Sequence, residues 1–507
     1  MILKFWRNPE FVRHARAELR GPRAITAGLL ALVICALVGL ASWAAENEKL
    51  PDFFKLFHGW LVGLQFAFAG FWAASTCGQA ISRERELRTY DFLKTTRLTP
   101  VESMIGKVTG VPIMAYFVVA CTLPVSFLAG IWAGHSPLAL LAVYILLVAS
   151  TLFVSLLGLT ISMSLEKSSS AVIALLILLP MTGFYGLAES PFPGFGGFSI
   201  LPAIFQLYDV GPDSPFRSPT IFGLETSYFI VTLFLYAVCG AWLVVMLRRN
   251  LKRETDQIRL LSRWGAVGFG AFLNVLFYAF LDPKLLSVKP DYHTIAPMVI
   301  STMAVVLNGI LLLLLGIAML TPHERLKVWW RRRAAREEGY FSESGLPWPW
   351  LVAAAAVAYE LLAAEAAGLS ASFRINEWRL GRAAVLMLVL LVFSIRDVLF
   401  LQWCNVTNMK RPLMKGLLYL SLYYVAVSII AAVAGVADAK FSEKVFLVAT
   451  PFGAFPDDGA GLRISPLVFV GLVFQLGIAV FVVKAIYGRI SRPAQLHRTS
   501  TTASRRV

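Results

Sequence analysis

The chain has 507 residues, of which 58% are hydrophobic and only 15% charged, with a mean hydropathy of +0.70. Soluble proteins carry about a quarter charged residues, so this composition excludes an ordinary water-soluble globule and indicates an all-α polytopic membrane protein. The formal charge of +16 is spread over short segments between apolar runs; no compact basic domain offers itself to nucleic acid, and basic residues of membrane proteins collect on one side of the bilayer.

Ahead of the first apolar run, Asn8 and Pro9 form a helix start: Asn suits the cap and Pro the first helical position. In the helix this predicts, Phe11, Ala15 and Leu19 line one face, with Arg13, Arg16 and Arg20 opposite, a pattern suited to lipid headgroups. The first apolar run, 24–45, has 22 residues, about 33 Å as helix, which spans a bilayer and is too long for a signal h-region. No cleavage site is evident, so it reads as an uncleaved first span.

About twelve runs of spanning length follow one another: 24–45, 56–81, 109–133, 138–164, 171–187, 225–247, 264–281, 295–320, 347–367, 383–403, 417–436 and 465–487. The run at 171–187 is short and is interrupted by Pro180 and Gly183. With the N-terminus placed inside, the inner segments carry 33 Lys and Arg and the outer loops 11. That bias predicts an N-in, C-in topology. The three arginines of the outer loop 368–382 run against it.

Between the second and third runs lies SRERELRTYDFLKTTRLTPVESMIGK, Ser82–Lys107, with six basic and four acidic residues. Glu84, four residues before Arg88, supports helix continuing out of the second span. Thr95 and Thr96 weaken it. Thr99 then opens a new helix, with Pro100 at the first position and Glu102 at the third, a capping box. This helix enters the third span through Gly106-x-x-x-Gly110, which permits close helix approach, and Pro112 predicts a kink or offset. A helix, turn and helix held between two spans can carry a partner's push into the membrane. A solvated loop that sets topology is the other reading.

The outer segment 190–224 is rich in Phe, Pro and Gly and nearly uncharged, which predicts a hairpin dipping into the outer interface. Near Asn250 the polar stretch RRNLKRETDQIRLLSR divides the chain into 1–250 and 251–507, about six spans each. One local echo links the halves: Thr99-Pro100-Val101-Glu102 and Thr321-Pro322-His323-Glu324 both read T-P-x-E, too short to establish a repeat.

In the second half, Glu360, Glu365, Arg396 and Asp397 are ionisable residues in or near spans and therefore functional suspects. Glu360 and Arg396 are candidates to pair across helices. Asn274 and Asn308 suit interhelical hydrogen bonds. The six histidines are dispersed, and His323-Glu324 lacks the second His of a zincin. Cys35, Cys77, Cys121, Cys239 and Cys404 follow no metal or disulfide pattern. Gly106-Lys107 is followed by Val108, with no glycine five residues before Gly106, so a Walker A loop is absent. The sequence calls for no cofactor and no catalytic residues, and ATP hydrolysis is not expected of this chain.

Ser82–Lys107 resembles the inner loop of ABC-2-type permeases, the membrane subunits of one class of ABC exporters. The resembling features are Arg83, Glu84 and Glu86; Thr89, Asp91 and Leu93; Leu98, Thr99 and Pro100; Glu102; and Gly106-Lys107. The N-terminal NPEFVRHARAELRGPR is similar to that family's start. The resemblance covers about residues 8–250; a usual family domain has six spans where this chain has about twelve. It implies a permease working by alternating access with a separate ATPase subunit, in a multi-pass bacterial inner-membrane protein that forms a homodimer or joins a second permease. It further implies that Arg83, Glu84, Glu86, Asp91, Arg97, Thr99, Pro100, Glu102, Gly106 and Lys107 belong to a cytoplasmic coupling helix region that docks on the ATPase. Asn8–Arg20 would be an interfacial elbow helix. A twelve-span secondary transporter and, less favoured, a membrane enzyme using Asp282, Asp291 and His293 of one outer loop stand as alternatives.

Overall fold

The computed structural model describes residues 7–45, 50–90, 97–164, 193–208, 218–222, 224–251, 261–281, 292–373, 380–407, 412–437, 448–451 and 466–491. Apart from one two-stranded antiparallel ladder, β1 (Thr220–Ile221) with β2 (Leu224–Glu225), the regular structure among them is helical. Two compact units emerge: residues 1–261 with 279–285, and residues 262–278 with 286–507.

In the first unit, α1 (Pro9–Glu18) precedes α2 (Gly21–Ala45) and α3 (Leu50–Glu86). Helix α4 (Pro100–Gly110) is offset from α5 (Ile113–Trp132) at Val111-Pro112, as Pro112 predicts. Helix α6 (Pro137–Ser164), a 3-10 turn (Pro193–Phe198), the short α7 (Leu201–Leu207) and α8 (Tyr228–Asn250) complete it. The core joins Val62 and Phe66 of α3, Val119 of α5, Leu146 and Leu147 of α6, and Tyr228 of α8. Ala203 of α7 is fully buried in that core, with Ile200, Ile204 and Tyr208 packed against it. The Phe/Pro/Gly-rich segment is therefore wedged among the spans over residues 200–208. Helix α2 keeps Leu29, Leu30, Leu37 and Leu40 exposed, as a helix that is apolar all round does when it faces lipid.

The second unit holds α9 (Arg263–Ala279), α10 (Tyr292–Ala318), α11 (His323–Ala334), α12 (Trp348–Phe373), α13 (Leu380–Val406), α14 (Pro412–Ala437) and α15 (Pro466–Ser491). Buried Arg263 ties several of its connections together. It donates to the carbonyls of Ser342 (2.7 Å) and Gly345 (2.5 Å) and to Thr321 Oγ1 (2.8 Å). Thr321 is thereby fully buried, and its backbone N–H goes to Gln402. The T-P-x-E echo ends here. Thr99 caps α4 with its hydroxyl, whereas α11 begins at Pro322 without any side-chain cap.

Ten helices among the described residues are long and apolar enough to cross a membrane. Of the two further expected spans, 264–281 corresponds to the 17-residue α9, at the lower limit of spanning length. The run 171–187 lies outside the described residues. Asn274 of α9 and Asn308 of α10 exchange amide hydrogen bonds of 2.8 and 2.7 Å, the interhelical role expected of them. Replacing either by Leu strands the other buried amide, and a double-mutant cycle in detergent melting should give a coupling of about 0.6–1.7 kcal/mol. Additive single effects would contradict the pairing.

Candidate functional site

The expected coupling segment is built in three pieces. Helix α3 has 37 residues, about 55 Å, so it outruns a hydrocarbon core of about 30 Å and carries Arg83–Glu86 beyond it. It stops in a Schellman turn: Arg88 N–H reaches the Arg85 carbonyl (3.0 Å) and Thr89 N–H the Glu84 carbonyl (2.9 Å), with Arg88 at φ +56°. That left-handed position ordinarily takes glycine. Tyr90 turns back into the core and donates its hydroxyl proton to the Leu251 carbonyl (3.1 Å). Residues 91–96, and with them Asp91, lie outside the described residues.

Helix α4 then starts with the full capping box. Glu102 N–H donates to Thr99 Oγ1 (3.2 Å), and Thr99 N–H donates to Glu102 Oε2 (2.8 Å). Helix α1 begins with a side-chain cap but no reciprocal bond, Asn8 Oδ1 accepting from Glu10 N–H (2.9 Å) and Phe11 N–H (3.4 Å). The Asn8 amide meanwhile donates to the Glu102 carbonyl (2.7 Å), tying the two helix starts together.

The Gly106-x-x-x-Gly110 face receives α1. A Cβ on Gly106 would lie 2.6 Å from Glu10 Cβ, and one on Gly110 3.1 Å from the Phe11 backbone. That close approach encloses Lys107, which is 1% exposed. Its ammonium donates to Glu10 Oε1 (2.8 Å) and to Glu84 Oε1. Arg13 closes the network from outside, donating to Glu10 (2.7 Å) and Glu84 (3.0 Å). Glu10, His14 and Glu84 could by their donor atoms hold a metal, but the lysine already fills the space between the two carboxylates. Burial pushes the Glu10 carboxyl up, while the His14 hydrogen bond and the Lys107 charge outweigh it, leaving the group lowered from 4.5 to about 2.

The expected coupling residues thus divide into two sets. Glu84, Gly106 and Lys107 are turned inward onto α1, whereas Arg83, Glu86, Arg97, Thr99 and Glu102 are exposed, with Pro100 half-buried. Leu87 and Val101 add exposed apolar surface beside them. Glu10 was not among the expected site residues. Its sequence signal is a lone acid one turn from Arg13 and His14.

A second polar cluster lies toward the opposite end of α3. Because a carbonyl oxygen only accepts, His58 Nδ1 carries the proton donated to the Ser126 carbonyl (2.8 Å). Nε2 then accepts from the Tyr208 hydroxyl (2.7 Å). His135 stacks on Tyr208 at 4.1 Å. Two of the six histidines, His58 and His135, converge here on the residue that follows α7.

The expected pairing of Glu360 with Arg396 is corrected by the structure. Glu360 is exposed on α12. Arg396 is buried and bonded to its neighbour Asp397 (2.8 and 2.5 Å), to Gln475 Oε1 (2.6 Å), and to the hydroxyls of Tyr423 and Tyr424. Adjacent residues on a helix point about 100° apart, yet the long guanidinium stem reaches around. The same tyrosine and glutamine hold a connecting segment: Tyr423 donates to the Ala449 carbonyl (3.0 Å) and Gln475 to the Val448 carbonyl (2.9 Å). Gln475 lies nine residues into α15, about 14 Å from its start. Val448 and Ala449, in the connection between α14 and α15, therefore lie at that depth beside α15.

Ten helices among the described residues that are long and apolar enough to cross a membrane make this a multi-pass membrane protein. Residues 2–189 match the family model of the ABC-2 type transporter, the family that the charged segment resembles. No curated protein and no solved structure matches the chain.

Removing the Lys107 ammonium leaves two carboxylates facing each other without a counter-charge. Lys107→Met should cost about 3–5 kcal/mol, read as a lowered melting point in detergent; an unchanged melting point would contradict the network. Because the folded Glu10 value is depressed, its contribution is complete above 4.5 and is lost as pH falls toward 2. Amide exchange in residues 9–18 should accelerate across that window, and Glu10→Gln should flatten the dependence.

Proposed function

We propose that the protein is the permease subunit of an ABC exporter, moving its substrate by alternating access while a separate ATPase subunit hydrolyses ATP. The observation that carries this reading is the two-sided build of the charged segment. One side is fixed to α1 by Lys107, Glu84, Glu10 and Gly106; the other presents Arg83, Glu86, Leu87, Arg97, Thr99, Val101 and Glu102 to solvent. A surface that is mixed in charge, partly apolar and rigidly supported suits docking of another protein. The ABC-2 match over residues 2–189 supports the class of partner.

In this reading α4 is the coupling helix and α1 the interfacial elbow helix, both on the cytoplasmic side of a bacterial inner membrane, with both termini inside. Residues 1–250 form the permease domain and 251–507 a second transmembrane region, and the chain acts as a homodimer or beside a second permease. Asp91 falls in the same segment and is proposed with it. ATP-driven closure of the ATPase pair pushes α4, and the buried network passes the push to α1 and α3 together.

The test is Thr99→Ala with Glu102→Ala. Loss of the cap should cost about 1 kcal/mol of local helix stability, too little to prevent insertion. Expression should be normal, while ATPase co-purification and transport fall. Normal partner binding and transport in this double variant would reject the coupling role and leave a basic topology loop.

A further inference from the structure

Helix α11 and the turn behind it form an open surface cleft of about 540 Å³, walled by Trp330 and Tyr340 and edged by Arg333, Arg336 and Glu337. Its depth relative to the membrane follows from its walls. Trp330 lies against Tyr487, four residues before the end of α15, with ring centres 4.4 Å apart. Tyr340 lies against Trp348, the first residue of α12, at 6.0 Å. Both aromatic walls therefore touch the ends of spanning helices, where tryptophan and tyrosine sit at headgroup level.

The charges around the cleft divide into engaged and free. Glu338 accepts from Arg332 (3.0 Å) and Ser342 (2.7 Å). The Arg333 guanidinium lies 3.5 Å from the centre of the Tyr340 ring and gives one N–H to the Glu338 carbonyl (3.2 Å). It is held flat, with further donors to spare. The side chains of Arg336 and Glu337 have no partner among the described residues. Arg336 also occupies the left-handed position of a Schellman turn, φ +60°, its N–H on the Arg333 carbonyl and that of Glu337 on the Arg332 carbonyl. Glycine is the low-strain residue there. An arginine at that place aims a charge at the cleft at some cost to the backbone.

We propose that this cleft is a phospholipid headgroup site selective for phosphoethanolamine. Arg333 and Arg336 take the phosphate, Glu337 takes the primary ammonium, and the aromatic walls seat the linker between them. Two cations and one free carboxylate around one cleft complement a zwitterion better than a purely anionic headgroup. A quaternary ammonium has no N–H to give Glu337. The proposal does not depend on the ATPase reading.

The test uses the full chain purified in neutral detergent and incubated with equal amounts of phosphatidylethanolamine, phosphatidylglycerol and phosphatidylcholine of matched acyl chains, with retained lipid counted by native mass spectrometry. Phosphatidylethanolamine should be retained about tenfold over the other two. Arg336→Gly should lose that retention while melting at the same temperature as the parent or higher, because it relieves the turn. Glu337→Gln should lower phosphatidylethanolamine to the level of phosphatidylglycerol. Equal retention of the three lipids, or unchanged retention in Arg336→Gly, overturns the site. So does an Arg336→Gly protein that keeps its lipid and loses a bound protein partner, which would make α11 a protein-docking surface.

Discussion

The first unit depends on one buried ammonium. Lys107 stands between the carboxylates of Glu10 and Glu84, so it joins three helices that are remote in sequence: α1, α3 and α4. Removing such a group from water costs several kcal/mol, repaid only when its partners are close and well aligned. The glycines at 106 and 110 supply that closeness by letting the α1 backbone come down onto α4. Asn8 and Arg13 then close the two ends of the contact. Each of these features has the others as its condition, and the Thr99 cap fixes the start of the helix on which they all converge.

What the sequence made legible was local. The capping box at Thr99, the Asn8-Pro9 helix start and the Pro112 offset are properties of three or four consecutive residues, and all three are present. The close approach at Gly106 and Gly110 was legible as a capacity, but not which helix would use it. The partner of Lys107 was invisible because Glu10 lies 97 residues away and no periodicity connects them. Arg396 is the opposite case: its counter-charge is the adjacent Asp397 and not an acid on another helix. The T-P-x-E echo shows how little four letters specify. Thr99 is exposed and caps, whereas Thr321 is drawn into the core by Arg263 and Gln402.

The two units solve the burial of polar groups differently. The first concentrates charge at one end of α3, outside the apolar part of the bundle, and keeps hydroxyls and an imidazole within it. The second places an Arg–Asp pair inside a span and satisfies it with tyrosines and a glutamine. Those same groups hold the carbonyls of Val448 and Ala449. Irregular backbone at that depth is tolerable only where protein supplies its hydrogen bonds, and here the supply comes from the shell of a buried ion pair.

Helix α3 is one uninterrupted rod with a buried polar cluster near each end. Glu84 meets Lys107 at one, and His58 meets Tyr208 at the other, 26 residues apart. That separation is about 39 Å, so a tilt of about 5° displaces one cluster by about 3 Å relative to the other. A hydrogen bond of 2.7 Å to Tyr208 does not survive such a displacement, and with it would go the anchor of the segment wedged among the spans. Under the proposed coupling role the rod would serve as a lever: nothing would have to be relayed residue by residue, because both clusters are mounted on the same beam.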